Sequence, residues 1–159
     1  MSGMHSDPQV RFICDQNLGK LAKWLRILGF DAEYMSHWDN EAMMQAMKNG
    51  RIMLTRKSTL SPNKEVVFIT HDLVREQLKE LFTTLDLRKD IEPFTRCSLC
   101  NTPLVNALRE EVKGRIPEYV YATQGVFARC PSCGRVYWEG THISRISDLI
   151  DFLLKDEKA

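Results

Sequence analysis

The chain has 159 residues, 43% of them hydrophobic and 27% charged, which suits one globular domain or one domain with a small appendage. Twenty-two Lys and Arg against 21 Asp and Glu leave a formal net charge of +1, so a polyelectrolyte-like binder of nucleic acid or membrane surfaces is excluded and any basic site must be local. No apolar run approaches the roughly 20 residues that span a bilayer, so no membrane partner is expected. The polar start MSGMHSDPQV carries no apolar signal region and sets the cytoplasm as the expected compartment.

Val10 to Cys14 (VRFIC) reads as a short buried strand. Leu18, Leu21, Leu25 and Leu28 then recur at helical spacing, and Gly29 ends that helix. Asp31 to Met35 is a second strand, and Asp39 to Lys48 a second helix with an acidic first turn. Arg51 to Thr55 and Glu65 to Thr70 are further strands, joined through a turn at Ser61 to Lys64, and His71 to Leu85 is an amphipathic helix. This alternation predicts an α/β layer with a mostly parallel sheet flanked by helices. In such sheets functional residues gather at the carboxyl ends of strands, where the sequence puts Asp15, Thr55 to Thr59, and Asp72. Near Glu92-Pro93 the pattern changes. The expected organisation is an α/β unit over residues 10–92, a cysteine module over 93–142, and a closing helix over 143–155 built on Ile143, Ile146, Ile150 and Leu153.

Four of the five cysteines form two CxxC pairs, Cys97 with Cys100 and Cys130 with Cys133. Two such turns bring four thiolates to one tetrahedral zinc ion, and in a reducing compartment that chemistry is favoured over disulfides. The segment between the pairs holds β-prone pieces such as EYVYA and GVFA, with RVYW just beyond, so a zinc ribbon fits better than a helical finger. His142 is a further ligand type, but four cysteines leave it no vacancy. A closed four-cysteine site has no open position for water, and its zinc is structural. So small a module has little core, and metal binding supplies much of its folding free energy. Cys14 reads as a small buried hydrophobe.

Asp15, Asp39, Glu41 and Asp72 are carboxylates that an α/β layer would let converge. Oxygen ligands of this kind suit Mg2+ or Mn2+, which activate water and neutralise a scissile phosphate. Each acid has an alternative role. Asp15 can cap the first helix, and Asp39 and Asp72 lie where carboxylates favour free N–H groups and the helix dipole. Lys20, Lys23 and Arg26 line the polar side of the first helix, and Arg56 lies beside the acids; these residues read equally as a phosphate-binding stripe or a solvated face. Spacing alone leaves both questions open.

The segments FICDQNLGKLAKWLRILGFD, WDNEAMMQAM, RIMLTRKSTL, PFTRCSLCNTPL and RCPSCGRVYWEGTH occur in an order that resembles the Mut-seven C-terminal RNase family. The resemblance covers residues 11 to about 145. It implies a PIN-like fold followed by a zinc ribbon, a Mg2+ or Mn2+ acid cluster, an RNA substrate, and Asp15, Asp39 and Asp72 as acids of the cluster. PIN-like domains commonly pair, so a homodimer is also compatible with it. One departure stands out. The family carries acids after the strand RIMLT, whereas this chain has Lys57 and Thr59 there. A lysine in place of a ligand opposes a divalent cation and would cost several kcal/mol of metal affinity in a partly buried site. Glu41 or substrate phosphate oxygens would compensate; alternatively, Lys57 holds a phosphate without metal. The resemblance therefore implies a metal-dependent ribonuclease, or else an RNA-binding module in which the same fold has lost catalysis.

Overall fold

In a computed structural model of the chain, the structure describes residues 9–57, 65–140 and 142–155. Four short strands, β1 (Arg11–Cys14), β2 (Asp31–Tyr34), β3 (Ile52–Thr55) and β4 (Val66–Phe68), form one parallel sheet in the order β2-β1-β3-β4. The helices α1 (Gly19–Ile27), α2 (Asn40–Lys48) and α3 (Val74–Thr84) cross over between or follow them. A parallel sheet with helices on both faces buries most side chains of its inner strands, so β1, β3 and β4 are mostly apolar runs, whereas the edge strand β2 (DAEY) buries only Ala32 fully. Alternate residues divide between the two faces. Phe12, Cys14 and Leu54 pack with Leu21, Leu25, Leu78 and Leu81 of α1 and α3. Ile13 and Met53 face the other way, against Met35 and Ala46 of α2. Each fully buried leucine contributes about 1.5–3 kcal/mol, so the first face carries most of the layer's stability.

The last helix, α6 (His142–Leu154), packs on α3 and buries Leu153 in the larger core. Its apolar positions are those expected of the closing helix, although Ile143 remains exposed. Gly29 ends α1 with φ +101°, and a Cβ there would lie 2.3 Å from the Glu92 carbonyl oxygen. Only glycine allows the chain to cross itself at that point.

The cysteine-bearing part contains a three-stranded antiparallel sheet, β5 (Val105–Ala107), β6 (Phe127–Arg129) and β7 (Val136–Trp138). Between β5 and β6 lie α4 (Arg109–Val112) and α5 (Glu118–Thr123). The segment EYVYA is therefore helical, not β. Pro117 precedes the helix, and Val120 is buried against Val112 and Phe127. One buried face with exposed Tyr119 and Ala122 is the burial pattern of a helix, and packing overrides the β-propensity of Tyr and Val. A second correction concerns α3, which starts at Val74 after an uncapped Leu73, so Asp72 lies in the loop ahead of the helix. The turn expected at Ser61 to Lys64 and the residue Thr59 lie outside the described residues. No helix among the described residues is long and apolar enough to cross a membrane.

Candidate active site and zinc centre

Asp15 follows β1 directly and is fully buried. Its N–H donates to the Leu54 carbonyl at 3.1 Å, continuing the β1–β3 ladder by one residue. Its carboxylate then spans two elements. Oδ1 accepts from the Asn17 N–H at 2.9 Å, and Oδ2 accepts from the Thr55 hydroxyl at 2.7 Å and the Arg56 N–H at 3.1 Å. Leu18, not Asp15, occupies the N-cap of α1, and it has no side-chain cap bond. The carboxylate thus orders the turn into α1 and simultaneously ties the carboxyl ends of β1 and β3 together.

The remaining acids are arranged differently. Asp39 caps α2, its Oδ1 accepting from the Ala42 N–H at 3.1 Å, and it is exposed. Glu41 is exposed on the first turn of the same helix. Asp72 is 89% exposed and pairs with the Arg56 guanidinium at 2.8 Å. Arg56 links it to Asp15, since the backbone N–H of the same residue binds Asp15 Oδ2. Lys57 donates its N–H to the Thr55 hydroxyl oxygen at 3.0 Å, and its ammonium lies 3.8 Å from the centroid of the Trp38 ring. That contact draws the end of β3 toward the start of α2, where Asp39 sits. Among the described residues, the group of three or more ligand types close enough to share an ion is made of cysteines, and the four carboxylates form no such group.

A second polar cluster lies just beyond β4. Glu80 of α3 accepts from the Thr70 N–H at 3.0 Å, from the Thr70 hydroxyl at 2.8 Å, and pairs with His71 Nδ1 at 2.9 Å. The His71 pKa is raised, first by the hydrogen bond to Glu80, against the opposing effect of burial. For Glu80 burial acts upward, but the bonds from His71 and Thr70 outweigh it and hold the carboxyl below its usual value. The sequence offered one signal for this cluster: Glu80 lies about 1.7 turns along α3 from its start at Val74, on the same face as Gln77, whose amide donates to the His71 carbonyl at 2.8 Å.

The basic residues separate into two kinds. Lys20 and Lys23 are exposed on α1. Arg26 turns the other way: it donates to the carbonyls of Ala32 (2.8 Å), Ser98 (3.0 Å) and Leu99 (3.2 Å). Burial lowers its pKa, with the Cys14, Cys97, Asp31 and Cys100 side chains opposing. The guanidinium is committed to protein oxygens and does not share the outward face of the two lysines.

The two CxxC turns are near copies. Asn101 follows Cys100 with φ 62° and Gly134 follows Cys133 with φ 80°. Their N–H groups donate to the Cys97 and Cys130 carbonyls at 2.9 and 2.8 Å. The Cys100 N–H donates to Cys97 Sγ, and the Ser132 and Cys133 N–H groups to Cys130 Sγ, each at 3.4 Å. All four sulfurs lie within 4.8 Å of one another, with Cys97 and Cys133 3.9 Å apart. A tetrahedral ion with Zn–S bonds near 2.3 Å requires about 3.8 Å between sulfurs. The donor set and spacing fit zinc. Burial alone would raise the Cys130 pKa, but the Cys133 and Ser132 N–H groups outweigh it and bring it to about 6, favouring the thiolate that a metal needs. Cys14, by contrast, is pushed up to about 12, chiefly by burial, and is inert as a nucleophile at neutral pH.

Sequence reasoning passed over Glu80, Asn101 and Tyr137, and placed Thr55 at a strand end without giving it a role. The Tyr137 hydroxyl donates to Cys97 Sγ at 3.0 Å. The signal for a role was there: Thr55 is a polar residue closing an otherwise apolar strand.

Comparison with curated proteins and with solved structures yields no match. A protein-family model described as the Mut7-C RNAse domain matches residues 10–150. The match spans both the strand-end acids and the four cysteines, and the chain belongs to the Mut7-C RNase domain family.

Proposed function

We propose that this protein hydrolyses RNA phosphodiester bonds at the strand-end site around Asp15. The observation that carries the reading is the state of that carboxylate. It is fully buried, is held by three neutral donors, and has no ion-pair partner among the described residues. Buried anions are ordinarily paired with a cation or a metal, and an anion without either, at the carboxyl end of a parallel strand, favours a bound cation.

The donor set does not form a cage of three carboxylates. It does suit Mg2+ or Mn2+, because such ions use one or two protein carboxylates and complete their shell with water and substrate phosphate oxygens. Asp15, with Asp39 as the second acid, would hold the ion, which would supply an activated water and neutralise charge on the phosphate. The other roles fall to the chain itself. Thr55 and the Arg56 N–H fix the rotamer of Asp15. The Arg56 guanidinium is partly exposed and meets a phosphate in a bidentate fork once it leaves Asp72. Lys20 and Lys23 hold the RNA backbone further out.

A second reading, RNA binding without cleavage, is favoured by Lys57. A cation stands where the family resemblance implies an acid, and its contact with Trp38 places aromatic and basic groups together. Such pairs suit single-stranded RNA. One assay separates the two. Labelled mixed-sequence RNA is incubated with zinc-saturated protein, with and without Mn2+, beside an Asp15→Asn variant. Mn2+-dependent cutting that the variant loses supports hydrolysis; retained binding with no cutting in any lane supports the second reading.

A further inference from the structure

We infer that the zinc centre has an outer shell of Tyr137, Asn101 and Arg26 that carries metal binding into the parallel sheet, by covering the free edge of β2. The reasoning starts from topology. β2 is the first strand in the order β2-β1-β3-β4, so one side of its backbone has no strand partner. An uncovered edge is a row of unsatisfied N–H and C=O groups, open to pairing with another chain. At Ala32 both groups are taken by side chains. The N–H donates to Asn101 Oδ1 at 3.0 Å, and the carbonyl accepts from Arg26 Nε at 2.8 Å.

One of these side chains belongs to the first CxxC turn, and the other, from α1, is tied to that turn. Asn101 is the residue after Cys100, and the left-handed backbone there is one that asparagine tolerates better than most residues. Its amide nitrogen also donates to Asp31 Oδ1 at 2.7 Å, an oxygen that Arg51 of β3's leading end holds at 2.8 Å. The second arm of Arg26 takes the carbonyls of Ser98 and Leu99, the two residues between the zinc cysteines. Tyr137 closes the arrangement from β7: its hydroxyl donates to Cys97 Sγ at 3.0 Å and accepts from the Ser98 N–H at 3.2 Å. The turn is thus held by its ligands on one side and by the sheet on the other. Without the metal, the four sulfurs lose their common partner and the turn loses the geometry that aims Asn101 at Ala32.

The contact also fixes where zinc acts. Ala32 lies near the amino end of β2, whereas Tyr34, two residues on, donates its hydroxyl to the Gln16 carbonyl beside Asp15 at 2.9 Å. The zinc centre therefore meets the sheet at the end away from the candidate active site, and works by securing an edge.

The inference rests on the zinc assignment, and its test reports on that assignment separately. The full chain is loaded with Zn2+, and amide hydrogen exchange is followed residue by residue before and after a high-affinity chelator, with bound zinc quantified. Chelation is expected to speed exchange at Ala32 at least tenfold. Met53, whose N–H binds the Glu65 carbonyl at 2.7 Å inside the sheet, is the control. Asn101→Gly keeps the backbone conformation and removes only the side chain; with zinc still bound it should reproduce the effect at Ala32 and spare Met53. Tyr137→Phe should weaken Zn2+ about tenfold in competition with a chromogenic chelator, the usual cost of losing an outer-shell donor. Undisturbed exchange at Ala32 in zinc-bound Asn101→Gly would overturn the inference even if chelation unfolds the whole chain. Failure to bind zinc at all would instead overturn the metal assignment.

Discussion

The Thr55 hydroxyl donates to Asp15 Oδ2 at 2.7 Å and accepts from the Lys57 N–H at 3.0 Å. One buried hydroxyl thus holds both the Asp15 carboxylate and the backbone of Lys57 just past β3. It makes the strand-end geometry depend on Thr55.

Thr55→Val retains the shape of the side chain and removes both bonds. It leaves a buried carboxylate oxygen and an N–H short of partners, which should cost about 1–3 kcal/mol. Thr55→Ser should restore most of that. Urea denaturation is the check, and an unchanged midpoint for the valine variant would mean that the bond contributes nothing.

Lys20→Ala and Lys23→Ala should each lower the salt dependence of RNA binding by about 0.7 in the log–log slope, the value for one phosphate contact on a single strand. Arg26→Ala should leave that slope unaltered and lower the melting temperature, because its guanidinium holds three protein carbonyls. Fluorescence anisotropy across a salt series, beside a thermal melt, separates the two. A slope change in Arg26→Ala would return that residue to the phosphate-binding set.

The His71–Glu80 pair has a defined pH signature. A histidine pKa raised in the folded state stabilises the protein fully below the unfolded value near 6.5 and ceases to do so as pH rises through the folded value. NMR titration should find His71 above its ordinary value, and Glu80→Gln should bring it back down, since Glu80 is the main cause of the shift. Equal titration curves in the two proteins would show that the pair does not form in solution.

Lys57→Asp removes a cation from the strand-end site and supplies an acid at the position where the family resemblance implies one. Mn2+ should bind more tightly by calorimetry, and the Trp38 emission should change because its cation partner at 3.8 Å is gone. Emission that changes while Mn2+ affinity stays the same would indicate that position 57 serves α2 and not the acids.

The α/β layer was legible because its signals are local: leucines at helical spacing, apolar strands, Gly29. So were the CxxC turns, which write their chemistry into four residues each. What sequence could not supply came from contacts between distant residues. Arg26 looked like one of three basic residues on α1 until Ser98 and Leu99, more than 70 positions away, supplied its acceptors. EYVYA was misread because tyrosine and valine favour strands, and only the burial of Val120 against Phe127 explains the helix. The four acids were read as one set from their places near strand and helix ends. Side-chain geometry divides them into a buried bridge at Asp15, a helix cap at Asp39, an exposed Glu41 and an ion-paired Asp72.

The cover on β2 also has a place in time. Asn101 is 69 residues beyond the Ala32 N–H that it satisfies. At about 5–20 residues per second of synthesis, roughly 3–14 s separate the two residues on the ribosome. Over that interval the first half of the sheet exists with one flank bare, and the exposure ends only once Cys130 and Cys133 have followed and the four-cysteine set can close on zinc. On the inference drawn above, a chain short of zinc keeps that flank bare, and pairing of β2 with a second copy is the hazard that follows.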